Sequence, residues 1–299
     1  MNVLIAKLGA TGDVVRTTTL LRSLNGEVTW LTDPKNTVLL QNLSRDIRCF
    51  SWTDRDSCRD RSYDLVINLE DTVDVATYLA TLDYRRLWGA QLGADNNVVH
   101  TEDSRCWFDL SVVSRYGRQR ADELKLANRS TYQDLVFQGL GLRFSGETYL
   151  LPPTPRSPLV GDVAIAAEAG PVWPMKKWAY YDELRQKLED AGFVVNYLPN
   201  RPSLLEHLAD VRGHHCLVSG DTLPMHLALG SGIPCISIFT CTSPWEIHDY
   251  GLQQKMISPL LSEFFYQRTY DARATTAISV EDVLAATSRQ LANGSQIPV

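Results

Sequence analysis

Short apolar runs alternate with longer segments of helical period along the chain. This alternation is typical of a parallel β-sheet covered by α-helices on both faces, so the predicted fold class is α/β. The apolar runs predict strands over residues 2–6, 28–32, 65–69, 86–90, 163–167, 193–198, 215–219 and 235–239. The periodic segments predict helices near residues 13–24, 35–43, 72–81, 130–142, 178–191, 203–211, 222–231 and 279–293.

A proline-rich segment separates two similar halves of this pattern. Four prolines fall in the ten residues 150–159, and such a density forbids a helix and disfavours a central strand. We therefore predict two doubly wound, Rossmann-like domains, 1–150 and 151–299, that face each other across a cleft. The sequence leaves open that the last helix, 279–293, packs back toward the first domain. Ligands of this architecture bind outside the carboxyl ends of the strands, so the loops that follow strands are the places to search for chemistry.

Composition narrows the class of protein further. The 299 residues are 44% apolar and 21% charged, as in an ordinary folded protein. Apolar runs stay far below the roughly 20 residues of a membrane helix, and the first residues lack the pattern of a signal peptide, so we expect the chain to stay in the cytoplasm. The net charge of −6 argues against a nucleic-acid partner. Six cysteines without a C-x-x-C pair predict free thiols rather than zinc ligands or disulfides.

The first loop with candidate chemistry is 7–24, where Gly9 and Gly12 flank a strand-to-helix turn and Asp13 begins the helix. The spacing is neither that of a Walker loop nor that of the dinucleotide fingerprint. Asp13 has two interpretations. It either stabilises the helix from its first turn or acts as a general base, beside glycines that let a substrate approach.

The second loop, 168–178, follows the first strand of the second half and holds the adjacent Lys176 and Lys177. At most one of them is expected to face a ligand, where an ammonium group could hold a diphosphate as a compact charge. The alternative is that both are solvated surface lysines.

The third loop precedes the helix predicted at 222–231. Asp221 or Thr222 could cap this helix, and the N–H groups of Thr222 and Leu223 would offer an anion site. His226 lies a little over one turn further on and could reach the same place. Its alternative interpretation is an interior histidine with its hydrogen bonds satisfied.

Together the three loops resemble glycosyltransferase family 9, the ADP-heptose heptosyltransferases of lipopolysaccharide core synthesis. "GDVVRTTTLLRSL" (12–24) is similar to the family's opening turn and helix. "AGPVWPMKKW" (169–178) aligns with its P-G-A-S-W-P-x-K-R-W loop, and "DTLPMHLALGSGIP" (221–234) aligns with its D-[ST]-G-x-x-H-L-A-A-A loop. Leu223 stands where the family has glycine, and the segment 199–214, which normally helps hold the adenine, is short.

The resemblance implies the GT-B fold and an inverting, metal-independent glycosyl transfer without a cofactor. It makes domain 1–150 the acceptor-binding domain and domain 151–299 the donor-binding domain. Asp13 would be the general base. The residues implied to bind the nucleotide sugar are Gly12, Gly170, Lys176, Asp221, Thr222, Leu223 and His226.

The implied donor is ADP-heptose, and the acceptor is a glycan, a glycolipid or a small molecule, with at most peripheral membrane contact. Two alternatives to a transferase stay open. One is a sugar-nucleotide epimerase or hydrolase on the same scaffold. The other is a non-catalytic nucleotide-binding relative, for which the replacement at Leu223 is the reason.

Overall fold

The computed structural model describes residues 1–111 and 114–294. The chain divides into two compact domains, Met1–Pro153 and Thr154–Val299. The boundary between them falls inside the proline-rich segment 150–159.

The first domain is built on a six-stranded sheet with the strand order β3-β2-β1-β4-β5-β6. Its strands are β1 (Asn2–Ala6), β2 (Glu27–Thr32), β3 (Arg48–Ser51), β4 (Leu65–Asn68), β5 (Leu87–Leu92) and β6 (Val98–His100). Strands β1 to β5 are parallel, and β6 runs antiparallel to β5. The order reverses direction between β1 and β4, which makes that pair the topological switch point of the sheet.

Helices and short 3-10 turns connect these strands. The helices are α1 (Thr11–Thr17), α2 (Leu20–Ser23), α3 (Thr37–Leu40), α4 (Val73–Leu79), α5 (Arg105–Phe108), α6 (Arg118–Ala127) and α7 (Tyr132–Leu140). The 3-10 segments are Pro34–Asn36, Trp52–Asp60 and Glu102–Ser104. The central strand β1 is buried from Val3 to Ala6, because apolar side chains cover both of its faces.

The second domain has a five-stranded, wholly parallel sheet with the order β11-β10-β9-β7-β8. Its strands are β7 (Gly161–Ala166), β8 (Val195–Tyr197), β9 (His214–Gly220), β10 (Cys235–Phe239) and β11 (Gln253–Ile257). Its helices are α8 (Tyr181–Asp190), α9 (Leu204–Arg212), α10 (Leu223–Ser231), α11 (Leu261–Phe264), α12 (Ala272–Thr276) and α13 (Val280–Gly294), and Pro174–Lys176 forms a 3-10 turn. Here the direction of winding reverses between β7 and β9.

The last helix, α13, packs on this second sheet. Val283 and Ala286 are fully buried in one core cluster with residues of β7, β9 and β10. At the start of the helix, the Ser279 hydroxyl accepts a hydrogen bond from the Asp282 N–H and donates one to the Asp282 carboxylate.

Several predicted elements need correction. The helix predicted over 13–24 begins at Thr11 and is interrupted after Thr17, where the hydroxyls of Thr18 and Thr19 bond to carbonyls three residues back. The helix predicted over 35–43 is a 3-10 turn followed by one turn of α3. Strands β3, β6 and β11 were not predicted, because edge strands need not be apolar on both faces.

All six cysteines are free, as predicted; four are buried, and Cys49 and Cys106 are partly exposed. None of the helices in the described part of the chain combines the length and apolar character that a bilayer crossing requires.

Candidate functional site

Two clusters of charged residues lie at the switch points of the two sheets. In the first domain the segments that follow β1 and β4 supply the side chains, and in the second domain the segments that follow β7 and β9 do so. Switch points are where open α/β sheets bind ligands, because loops from neighbouring strands leave in opposite directions and open a crevice.

Asp13 lies in the first turn of α1 and keeps 35% of its side chain exposed. Its Oδ1 is 2.9 Å from Arg16 Nη2, and its Oδ2 is 4.0 Å from Lys7 Nζ. The helix begins after Ala10, so Gly12 is its second residue rather than part of the preceding loop. The carboxylate thus combines the helix-stabilising place that the sequence predicts with partial access to solvent.

Lys7 and Glu70 complete this cluster, and sequence reasoning missed both. Glu70 follows β4 and accepts hydrogen bonds from Lys7 Nζ at 2.8 Å, from the Leu8 N–H at 2.8 Å and from the Gly9 N–H at 3.2 Å. A signal was present in the sequence: Lys7 and Glu70 each follow an apolar run predicted as a strand. Which two strands are neighbours could not be read from that pattern.

Arg16 is nearly buried and is held by aromatic rings. Its guanidinium carbon lies 4.0 Å from the centre of the Tyr132 ring and 5.4 Å from that of Trp107, a cation–π arrangement. The Tyr132 hydroxyl is 2.6 Å from the Thr17 hydroxyl. Burial raises the pKa of Tyr132, so the ring stays neutral. Arg16 is therefore a fixed cation beside Asp13.

The second cluster centres on Asp221, directly after β9. Its Oδ2 accepts hydrogen bonds from Lys176 Nζ at 2.8 Å and from the Thr242 hydroxyl at 2.8 Å. Lys176 Nζ also donates to the Asp221 backbone carbonyl at 2.8 Å. Lys176 follows β7 and Thr242 follows β10, so three neighbouring parallel strands deliver these groups to one edge of the sheet.

The ammonium group of Lys176 strongly affects the ionisation of the Asp221 carboxylate. Burial alone would raise the pKa of Asp221, but the ammonium of Lys176 outweighs it, helped by the nearby His226 and by the Thr242 hydrogen bond, and lowers the pKa to about 2. Asp221 is consequently ionised across the physiological pH range. The side chains of Lys176 and Asp221 are 17% and 15% exposed.

The amino terminus of α10 adjoins this pair, and here one prediction is wrong. The Thr222 N–H donates to the Gly220 carbonyl at 2.9 Å, so it cannot contribute to an anion site as predicted. Pro224 has no N–H. Of the first residues of α10, Leu223 alone has an N–H without a partner in the described part of the chain.

The predicted helix cap is also corrected. Thr222 occupies the N-cap position of α10, but its side chain makes no capping hydrogen bond, and the Asp221 carboxylate is directed to Lys176 and Thr242 instead. His226 is 5% exposed on the same helix. Gly170 lies in the exposed loop before Lys176, with open space where a side chain would stand.

Close packing fixes the turn that carries Lys176. A Cβ on Gly220 would lie 2.6 Å from the Lys176 carbonyl oxygen, so only glycine allows β9 to approach this turn so closely. The Thr240 hydroxyl donates a hydrogen bond to the Met175 carbonyl. Thr240 and Thr242, both in the polar segment after β10, were missed by the sequence analysis.

Within residues 1–111 and 114–294, no group of three or more His, Cys, Asp or Glu side chains is placed to hold a metal ion.

No protein-family model and no curated protein matches the sequence. Solved structures do resemble the chain over nearly all its length. A glycosyl transferase family 9 protein from Veillonella parvula DSM 2008 has a TM-score of 0.70 at 14% identity, covering 98% of this chain and 97% of its own. E. coli heptosyltransferase WaaC, solved with ADP, has a TM-score of 0.63 at 15% identity, covering 97% of this chain and 100% of its own.

A third solved structure gives the same result. E. coli ADP-heptose LPS heptosyltransferase II has a TM-score of 0.62 at 15% identity, covering 99% of this chain and 100% of its own. The likeness to glycosyltransferase family 9 that the motifs predict is thereby confirmed at the level of the fold. The chain has the fold of the GT-B-like glycosyltransferase structures, with two doubly wound α/β domains.

Proposed function

We propose that this protein is a glycosyltransferase that moves a sugar from a nucleoside diphosphate donor to an acceptor hydroxyl. The observation that carries the proposal is the cluster of Lys176, Asp221 and the Leu223 N–H at the switch point of the second sheet. A cation beside a helix amino terminus is suited to a diphosphate, and the fold is that of sugar-nucleotide transferases.

Lys176 is the main donor-binding group in this proposal. An ammonium group has three N–H donors, and Asp221 accepts from two of them through its carbonyl and its carboxylate. The third donor and the Leu223 N–H would then bind oxygens of the diphosphate. Negative charge grows on that diphosphate as it leaves, and both groups would stabilise it more strongly in the transition state than in the ground state.

Asp13 is the proposed general base. It takes the proton of the acceptor hydroxyl while that oxygen forms a bond to the anomeric carbon and the bond from this carbon to the diphosphate oxygen breaks. Attack from the face opposite the leaving group inverts the configuration. The partial exposure of Asp13 supports this role, because a base must be reached by its substrate.

The donor and the remaining groups follow from the family likeness. We propose ADP-heptose as donor, and the further residues proposed to bind it are Gly12, Gly170, Asp221, Thr222 and His226. Lys176 and the Leu223 N–H would supply the charge stabilisation, so the proposed transfer needs no metal ion. The acceptor class is a glycan, a glycolipid or a small molecule carrying a hydroxyl.

A panel of sugar nucleotides tests the proposal. The purified protein is incubated with ADP-heptose, ADP-glucose, UDP-glucose and GDP-mannose, and the products are followed by mass spectrometry. We expect release of ADP from ADP-heptose to be slow with water alone and faster when an acceptor glycan is added, whereas a hydrolase would release ADP at a rate that the glycan does not change. An epimerised donor would instead show the epimerase alternative, and binding of ADP-heptose without any product would show the non-catalytic alternative.

A further inference from the structure

The ammonium of Lys7 lies between two carboxylates at unequal distances. It is 2.8 Å from Glu70 Oε1 and 4.0 Å from Asp13 Oδ2, so it is hydrogen-bonded to the first and not to the second. The side chains of Lys7 and Glu70 are 11% and 14% exposed, so solvent screens the attraction between Lys7 and the two carboxylates only weakly. Which carboxylate binds Lys7 therefore matters for the charge around Asp13.

Hydrogen bonds to the backbone and to Asn68 hold Glu70 in the position where it binds Lys7. Its carboxylate accepts the N–H groups of Leu8 and Gly9, and its own N–H donates to Asn68 Oδ1 at 3.0 Å. Asn68 is fully buried, and its Nδ2 donates to the Ala90 carbonyl of β5 at 2.7 Å. The position of Glu70 is thus fixed by the sheet rather than by Lys7.

Arg16 also faces Asp13, 2.9 Å away and fixed over the Tyr132 ring of α7. Asp13 therefore already has a close cation beside it. A second cation at hydrogen-bonding distance would stabilise the ionised carboxylate further and make it a poorer proton acceptor. Held by Glu70, Lys7 does not reach that distance.

We propose that Glu70 is a positioning residue that binds Lys7 and so keeps Asp13 basic enough to accept a proton. The inference rests on the proposed function, because it takes Asp13 as the base. Glu70 does not touch the substrate in this account. It acts through Lys7 alone.

Glu70→Gln tests the role of the charge while keeping an amide oxygen for the Leu8 and Gly9 N–H groups. Lys7 should then close on Asp13. We expect the rate of ADP release from ADP-heptose at neutral pH to fall about tenfold, and the acid limb of the pH–rate profile to move about one pH unit lower. The KM for ADP-heptose should not change. An unaltered pH–rate profile would overturn the proposal.

A second variant separates this role from a structural one. In Lys7→Met/Glu70→Gln the competing cation is gone, so the rate should recover to within about threefold of the wild-type value. If Glu70 merely supported the turn after β1, removing Lys7 could not restore activity. A double variant as slow as Glu70→Gln would therefore contradict the proposal.

Asp71→Asn is the matched control. It removes the same charge one residue along the chain, from a carboxylate whose Oδ1 lies 3.8 Å from His100 Nε2. We expect its acid limb to stay at the wild-type pH. A shift as large as that of Glu70→Gln would mean that the acid limb of the pH–rate profile depends on the total local charge rather than on the hydrogen bond between Glu70 and Lys7.

A crystal structure of Glu70→Gln supplies a readout that needs no activity. The proposal predicts Lys7 Nζ within hydrogen-bonding distance of Asp13 Oδ2, and a lysine that stays beside residue 70 would refute it. If the wild-type protein turns over none of the sugar nucleotides, the proposed function fails, and this structure still decides whether Glu70 holds Lys7 away from Asp13.

Discussion

Each domain places an aspartate and a lysine at the switch point of its sheet, but the two pairs are built differently. Asp221 and Lys176 are in direct contact, and the Thr242 hydroxyl donates a second hydrogen bond to the Asp221 carboxylate. Asp13 and Lys7 are 4.0 Å apart, and Lys7 is hydrogen-bonded to Glu70 instead. The first pair, Asp221 and Lys176, is called the closed pair. It holds a fixed, ionised carboxylate beside an ammonium group, which suits binding of a charged ligand. The second pair, Asp13 and Lys7, is called the open pair. Its aspartate is more exposed than Asp221, which suits proton transfer.

Removing the carboxylate of the open pair should have the largest effect. In Asp13→Asn we expect turnover of ADP-heptose to fall roughly 10²–10⁴-fold, the usual contribution of a general base. The affinity for ADP, measured by calorimetry, should stay within about twofold of the wild-type value, because the base does not bind the nucleotide. The control is Asp46→Asn, since Asp46 is exposed and precedes β3 at the opposite edge of the sheet. Near-normal turnover in Asp13→Asn would remove Asp13 from the mechanism.

Removing the lysine of the closed pair should affect binding instead. Lys176→Ala is expected to weaken ADP binding about 10- to 100-fold, the effect of losing a charge-assisted hydrogen bond. The neighbouring Lys177 pairs at 2.7 Å with the exposed Glu168, so Lys177→Ala is a matched control that should change the affinity less than about threefold. Equal losses in the two variants would show that only the general charge of the loop matters.

The closed pair should also contribute to stability in a pH-dependent way. The pKa of Asp221 is about 2 in the folded protein, below its ordinary value of 3.8. The stabilisation is therefore fully present above about pH 5 and is lost as the pH falls toward 2. We expect Asp221→Asn to lower the free energy of unfolding by about 2 kcal/mol at pH 6 and by much less near pH 2. Urea unfolding across this range measures it, and a pH-independent difference would contradict the assignment.

The smallest predicted effect concerns the packing beneath the closed pair. Gly220→Ala should lower the free energy of unfolding by about 1–2 kcal/mol, because the new methyl group would meet the Lys176 carbonyl at 2.6 Å. Gly170→Ala has open space around the added carbon and should cost less than about 0.5 kcal/mol. Thermal unfolding of both variants would reveal the contrast, and equal stabilities would show that the turn moves freely.

The sequence predicted the central strands well, because β1, β4, β7, β9 and β10 are short apolar runs that both faces of a sheet bury. It also singled out Asp13, Lys176 and Asp221. Lys7, Glu70 and Thr242 were missed for one physical reason. Each becomes significant only through contact with a residue in a segment that follows another strand. The order of strands in a sheet is a tertiary property that periodicity along the chain does not contain.

Hydrogen–deuterium exchange with and without ADP tests whether the switch point of the second domain holds the nucleotide. We expect slower exchange in the presence of ADP in the loop 168–178 and in the first turn of α10, with the largest change at the Leu223 amide. Unchanged exchange in both segments while ADP is demonstrably bound would place the nucleotide elsewhere and exclude this switch point as its binding site.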